Sequence, residues 1–300
     1  MADERLGEGF LPLEEPLDLE ATLASGQVFR WRWRGRWAWG VLGEHGYGLR
    51  HEEGGLRFRT TAPSLAAAET ELTAFLRLED KLGAIREALA WDRPVARAMA
   101  RLPGLRLLRQ DPWECLVSFA CSSASNIPRI SRNLEALAET YGWGLGGPRG
   151  ASPRLYRFPD PGRLAEAGPE GLRRLGLGFR AEYVAGTAAA VASGAVDLLA
   201  LRGLAYPEAR GALLTLPGVG EKVADCVLAF SLDKREAFPV DRWVRRSLEA
   251  WYGHGPRARY GELSSWAQDR WGEYAGYVQQ YLFCWARDGW RDGQRGRKPG

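Results

Sequence analysis

Leu213-Leu-Thr-Leu-Pro-Gly-Val-Gly-Glu-Lys-Val-Ala-Asp-Cys226 decides how this chain is read. An apolar run ends in Pro217-Gly218-Val219-Gly220, and a second run with helical spacing starts at once with Glu221 and Lys222. The pattern predicts helix, tight hairpin, helix. Glycine accepts positive φ and lets the backbone approach another surface closely. The amides that open the second helix then point outward, which suits a phosphate. Gly218, Val219 and Gly220 are thus candidates for a backbone contact that fixes register on a nucleic acid without reading its bases. A plain helix–helix connection with no ligand satisfies the same glycines.

Working outward, Leu172-Arg-Arg-Leu-Gly-Leu-Gly-Phe-Arg-Ala-Glu-Tyr-Val184 has the same form, helix, glycine turn, helix. Asp111-Pro112-Trp113-Glu114 predicts a helix start, with Asp as N-cap, Pro first and Glu third. Further helices are expected over Asp241–Trp251 and Tyr260–Trp285, with a loop from Gly142 to Gly150. Before about Leu65 the pattern is different. Gln27-Val-Phe-Arg-Trp-Arg-Trp-Arg34, Trp37–Leu42 and Leu56–Arg59 alternate in twos, with Gly35, Gly43, Gly46, Gly54 and Gly55 as turns. This predicts an antiparallel sheet with Trp inward and Arg outward. The expected organisation is α+β: an antiparallel β domain over 1–85, an all-α region in two subdomains over 86–292, and a basic tail over 293–300.

The totals exclude several classes. No window holds about 18 uninterrupted apolar residues, so no membrane helix is expected. The acidic start Met-Ala-Asp-Glu-Arg matches neither a secretory signal nor a transit peptide. A net charge of +4 permits a polyanionic partner without demanding one. Cys115, Cys121, Cys226 and Cys284 form no CxxC, and His45, His51 and His254 are far apart. Structural zinc and an iron–sulfur cluster are therefore not expected, and free thiols point to the cytoplasm. There are 37 Arg but only four Lys, so a Lys kept at a special position stands out.

Lys222 is such a Lys. An amine in the first turn of a helix opposes the helix dipole, where acidic residues are favoured. Asp225 and Cys226 follow at i+3 and i+4, on the same face. From these residues alone, a solvated lysine paired with Asp225 and a nucleophile are equally good readings. Asp241 follows in Phe238-Pro-Val-Asp, where it suits an N-cap. A carboxylate fixed there would also stabilise a cationic sugar while a glycosidic bond breaks. An amine with one carboxylate is the minimum set for displacing a base and trapping the sugar as a Schiff base.

Leu216-Pro-Gly-Val-Gly-Glu-Lys-Val-Ala-Asp-Cys226 followed by Pro239-Val-Asp241 resembles the helix–hairpin–helix (HhH-GPD) DNA glycosylases. Within them the chain is most similar to the 8-oxoguanine DNA glycosylase/AP lyases. Ser25–Trp31, Leu105–Pro112 continuing to Cys121-Ser-Ser, Leu175–Tyr183 and Tyr274–Phe283 carry the narrower likeness, in family order. The resemblance implies an N-terminal antiparallel β domain before an all-α glycosylase core. It makes Lys222 the amine that attacks C1′ and Asp241 the carboxylate that supports departure of the base. It gives Gly26 the carbonyl that meets N7–H of 8-oxoguanine, Gln279 the base's Watson–Crick edge, and Phe283 and Cys226 its two faces. Asn126, Arg129, Phe179 and Arg180 would join the hairpin in binding DNA. The carbonyls of Leu214, Leu216 and Val219 would hold a structural monovalent or divalent cation, with no cofactor needed for catalysis. The implied partner is duplex DNA containing 8-oxoguanine, bound by a monomer.

Two positions depart from the family pattern. Ala124 stands where Asn usually fills the gap left by the flipped base, so preference for the opposite cytosine is not implied. Trp243 replaces a frequent His near the phosphate. The rival readings are a monofunctional alkyl-base glycosylase, which would lack an amine at 222, and a non-catalytic hairpin module, which predicts no Lys/Asp pair. An endonuclease III-like enzyme would need a cysteine set that this chain lacks.

Overall fold

Five short strands near the N-terminus pair through registers that their own alternation sets. The computed structural model describes residues 6–145 and 153–295, with side chains described through 287. Strands β1 (Gly7–Pro12), β2 (Arg32–Arg34), β3 (Trp37–Leu42), β4 (His45–Glu52) and β5 (Gly55–Thr60) form one antiparallel sheet in the order β1-β5-β4-β3-β2. Helix α1 (Leu19–Ala24) lies between β1 and β2 in sequence. Ala38, Tyr47, Leu49, Leu56 and Phe58 are buried on one face, against Ala68, Leu72 and Phe75 of helix α2 (Leu65–Phe75). The opposite face carries a row set by register, Arg34, Trp37, Arg50, Arg57 and Phe10 across all five strands. Here Trp37 lies under the guanidinium groups of Arg50 and Arg59, at 4.7 and 4.4 Å.

The expected pattern of Trp inward and Arg outward holds for Trp31 and Trp39 and for Arg32 and Arg34, and is corrected at two positions. Trp33 is 47% exposed and Arg30 only 6%. Arg30 is drawn inward because Glu114 meets it at 3.0 Å and the Tyr156 carbonyl accepts from it. The strand expected from Gln27 is reduced to Arg32–Arg34 for a related reason. The fully buried Gln27 carboxamide donates to the Arg106 carbonyl at 2.9 Å and accepts from the Leu108 amide at 2.8 Å. Its side chain takes the pairing positions that a neighbouring strand would fill. Gly35, Gly43 and Gly54 have φ of 58°, 53° and 77° in the hairpin turns, whereas Gly46 and Gly55 sit within strands.

The rest is helical: α3 (Leu82–Ala88), α4 (Arg93–Arg101), α5 (Pro112–Ala120), α6 (Ile127–Tyr141), α7 (Pro161–Arg174), α8 (Arg180–Ala192), α9 (Tyr206–Leu214), α10 (Glu221–Ser231), α11 (Arg242–Tyr252), α12 (Tyr260–Trp271) and α13 (Ala275–Arg295). Asp111 caps α5, accepting from the Glu114 amide at 2.8 Å, as expected from its sequence. The loop expected from Gly142 to Gly150 instead begins as a strand. A ribbon of β6 (Trp143–Leu145) and β7 (Leu155–Arg157) occupies its start, and 146–150 lie outside the described residues. The helix expected over Tyr260–Trp285 is split at Gly272, whose φ of 53° with ψ of −130° no helix accommodates. The last helix runs on to Arg295, beyond the point where the tail was expected to begin. Residues 1–5 and 296–300 lie outside the described residues.

One apolar cluster fills the helical part and a second fills the sheet part. They meet along Leu105–Leu108, with Leu105 and Leu107 in the first and Leu108 in the second. The hairpins place α8 and the start of α10 on the same side of the molecule, where the candidate residues gather.

Candidate active site

The hairpin between α9 and α10 needs its glycine. Gly218 has φ of 73°, and any Cβ there would collide with the Tyr183 ring of α8. Pro217 packs on Gly186, and its carbonyl accepts from Thr187 Oγ1 at 3.0 Å. Fixed against α8, the turn starts α10 with Lys222 in its first turn.

Lys222 is half-buried on the wall of a cleft of about 1350 Å³. Its Nζ donates to Ser122 Oγ at 3.1 Å and lies 4.9 Å from the centre of the Phe119 ring. Cys226, one turn on, lies near enough to feel the charge of the same amine. Burial pushes the Cys226 thiol up to about 12, so it is a neutral neighbour. Asp225, considered as a surface partner for Lys222, is fully buried and held elsewhere. It accepts from Tyr260 at 2.6 Å, Tyr206 at 2.8 Å and Arg210 at 3.0 Å. This anchors α10 to α9 and α12 and leaves the amine to the cleft.

Asp241 lines the same cleft. Its Oδ1 accepts from the amides of Trp243 and Val244 at 2.9 and 2.8 Å, capping α11. Burial raises its carboxyl above the ordinary value, although those amides and the Lys222 charge pull the other way. The cap fixes one oxygen and with it the plane of the group.

Gly26 and Phe283 form a third wall. Gly26 has φ of 80°, and a Cβ there would lie 3.2 Å from the Phe283 ring. The carbonyls of Ala24, Ser25 and Gln27 accept from Arg287 at 2.7 Å, Gln280 at 2.8 Å and Gln110 at 2.9 Å. Among the described residues no hydrogen bond is made to Gly26's own carbonyl.

The cleft thus brings together Gly26, Asn126, Phe179, Leu214, Leu216, Gly218, Val219, Gly220, Lys222, Asp241 and Phe283. Phe179 is 53% exposed. Asn126 caps α6, accepting from the Arg129 amide at 3.0 Å, while the Arg129 side chain is exposed. Four candidates are not on its wall: Cys226, Gln279, Arg129 and Arg180. Gln279 is 4% exposed, and its Oε1 is buried without a partner among the described residues, one helical turn from Phe283. Arg180 is 2% exposed and turned onto the carbonyls of Ser123 and Ala124. Ala124 itself has φ of 46°. Trp243 lines the cleft beneath Arg242 and Arg246, at 4.9 and 5.1 Å from its ring. Sequence reasoning missed Ser122, Tyr183 and Arg287. Their signal was only that each lies beside, or one turn from, a residue already singled out.

Among the described residues no group of three or more His, Cys, Asp or Glu could hold a metal ion. The four cysteines are buried, and none forms a disulfide among the described residues.

Comparison with known proteins gives two family matches. Residues 10–116 match the 8-oxoguanine DNA glycosylase N-terminal domain, and residues 117–273 match the HhH-GPD superfamily of base excision DNA repair proteins. The N-glycosylase/DNA lyase OGG1 of Arabidopsis thaliana is 36% identical over 285 residues, covering 89% of this chain and 76% of that protein. Among solved structures, MBOgg1 in complex with a low-affinity DNA ligand has a TM-score of 0.89 at 31% identity, covering 95% of this chain and 98% of its own. The Clostridium acetobutylicum 8-oxoguanine glycosylase/lyase, bound to duplex DNA with cytosine opposite 8-oxoguanine, has a TM-score of 0.86 at 26% identity. It covers 96% of this chain and 99% of its own.

Proposed function

The chain belongs to the HhH-GPD superfamily of base excision DNA repair proteins, and we propose that it excises 8-oxoguanine from duplex DNA as a glycosylase/AP lyase. The observation that carries this reading is the meeting of Lys222, Asp241, Gly26 and Phe283 on one cleft. The target base is flipped out of the helix, at a cost of a few kcal/mol offset by contacts in the pocket. Lys222 Nζ attacks C1′ as the bond to the base breaks, and Asp241 stabilises the positive charge on the sugar. The sugar ring then opens, C1′–O4′ breaking as O4′ takes a proton, and the Schiff base so formed loses a C2′ proton and the 3′-phosphate in β-elimination.

In the same reading Gly26 offers its carbonyl to N7–H, and Gln279 turns its buried Oε1 toward the Watson–Crick edge. Phe283 and Cys226 cover the base's faces. Phe179, Asn126, Arg129, Gly218, Val219 and Gly220 hold the DNA. The carbonyls of Leu214, Leu216 and Val219 suit a structural cation. Leu214 sits in the last turn of α9, where carbonyls lack helical partners, and the Leu216 carbonyl accepts a single amide, from Val219 at 3.1 Å. We place the protein in the cytoplasm as a monomer, with a division between its two parts near residue 85. Among the described residues no helix is long and apolar enough to cross a membrane.

Borohydride trapping on an 8-oxoguanine duplex tests the central claim. Wild type gives a covalent adduct, Lys222→Gln gives none, and Asp241→Asn slows its formation by about 100-fold or more, the order expected for loss of a charge-stabilising group. Undiminished trapping by Lys222→Gln would overturn it.

A further inference from the structure

Between α5 and α6 the chain makes a turn, Ser122-Ser-Ala-Ser125, that carries two unfavourable features. Ala124 has φ of 46°, in the left-handed region that residues with a Cβ avoid. Ser125 Oγ is buried with no hydrogen-bond partner among the described residues. Such a conformation persists only where its surroundings impose it.

Arg180 imposes it. Reaching across from the first residue of α8, it donates through Nε to the Ser123 carbonyl at 2.7 Å. Its Nη2 bonds the carbonyls of both Ser123 and Ala124, the latter at 2.9 Å. The planar fork of a guanidinium can hold two successive carbonyls in fixed directions, which an ammonium cannot. With 2% of its surface exposed, this arginine faces the turn rather than solvent.

The turn in turn presents Ser122. Its hydroxyl donates to the Phe119 carbonyl at 2.6 Å, so its proton is committed and only lone pairs face outward. Lys222 Nζ donates to those lone pairs at 3.1 Å, above the Phe119 ring. Once the amine is neutral, one N–H pinned on Ser122 restricts rotation about Cε–Nζ. The nitrogen lone pair is then held in a limited set of directions.

We propose that Arg180 is a positioning residue that clamps the Ser122–Ser125 turn, so that Ser122 orients the amine of Lys222 for attack. The inference rests on Lys222 being the nucleophile.

Single-turnover borohydride trapping at saturating DNA tests this with Arg180→Lys, Ser122→Ala, Ser122→Thr and the Arg180→Lys/Ser122→Ala pair. Arg180→Lys and Ser122→Ala are each expected to slow trapping by about 10- to 100-fold, the scale of an ångström-level misplacement. Duplex affinity should change less than about threefold, and Ser122→Thr should retain most of the rate because it keeps the hydroxyl. The double variant should be no slower than the worse single one, because both changes break the same chain of contacts. Ala124→Gly, which relaxes the turn, should partly rescue Arg180→Lys and so separates a clamp from a general folding defect. Additive losses, or Arg180→Lys trapping at the wild-type rate while opposite-base discrimination collapses, would overturn the proposal. If Lys222→Gln still traps, the nucleophile reading fails instead, and the two failures are distinguishable.

Discussion

At the residue scale, Asp241 is a group whose local role opposes its chemical one. Burial raises its carboxyl above the ordinary value, so the fold favours the protonated form. That contribution to stability is fully present below the unfolded value of about 3.9 and is lost as pH rises through the folded value. Near neutral pH the ionised group therefore costs stability. Asp241→Asn keeps an oxygen for the amides of Trp243 and Val244 but removes the charge. It should raise Tm at pH 7–8 by roughly 1–3 °C, with the gain vanishing toward pH 4, while excision is lost. A lower Tm at pH 7, measured by circular dichroism, would contradict this. The residue types at 222 and 241 were legible in the sequence because a hairpin and a cap are local. The inward turn of Arg180 and the buried carboxamide of Gln279 were not, because a side chain's direction depends on what lies across the cleft.

At the scale of an element, α10 is carried by one buried carboxylate. Asp225 joins it to α9 through Tyr206 and Arg210 and to α12 through Tyr260. Asp225→Ala strands the Arg210 charge. This should cost roughly 3 kcal/mol, the low end for breaking such a pair because Arg210 is part-exposed and keeps Glu221 at 3.0 Å. Asp225→Asn, which still accepts, should cost less than half as much in urea denaturation. Because Ser122 and Phe119 hold Lys222 independently, either variant should trap near the wild-type rate where it is folded. A large loss of trapping in folded Asp225→Asn would tie Asp225 to the amine after all. The sequence showed Asp225 only as a residue three along from Lys222. Its real partners are 15 to 35 positions away in the chain, beyond the reach of periodicity. The break at Gly272 was missed for the opposite reason, since a lone glycine in a helical pattern is often tolerated.

Across the whole molecule, the cleft depends on the seam between the two apolar clusters. The segment Ala24–Gln27 leaves α1, from the sheet side, yet Arg287 and Gln280 of α13 hold its carbonyls from the helical side. Gln27 then joins it to the Leu105–Leu108 strip shared by both clusters. Neither cluster alone fixes Gly26. That is why alternation from Gln27 onward suggested a strand: the pairing is made by a side chain whose partners lie 79 and 81 residues away. Gln27→Leu keeps the volume but leaves the Arg106 carbonyl and the Leu108 amide buried without partners. At about 1–3 kcal/mol for each stranded group, it should lower stability by roughly 2–4 kcal/mol. It should also loosen Gly26, so excision of 8-oxoguanine falls by about tenfold or more while adduct formation on abasic DNA, which needs no base pocket, stays within about twofold. Equal losses on both substrates would mean that the seam supports the amine rather than base recognition. An unchanged ratio with unchanged stability would mean that Gln27 supports neither.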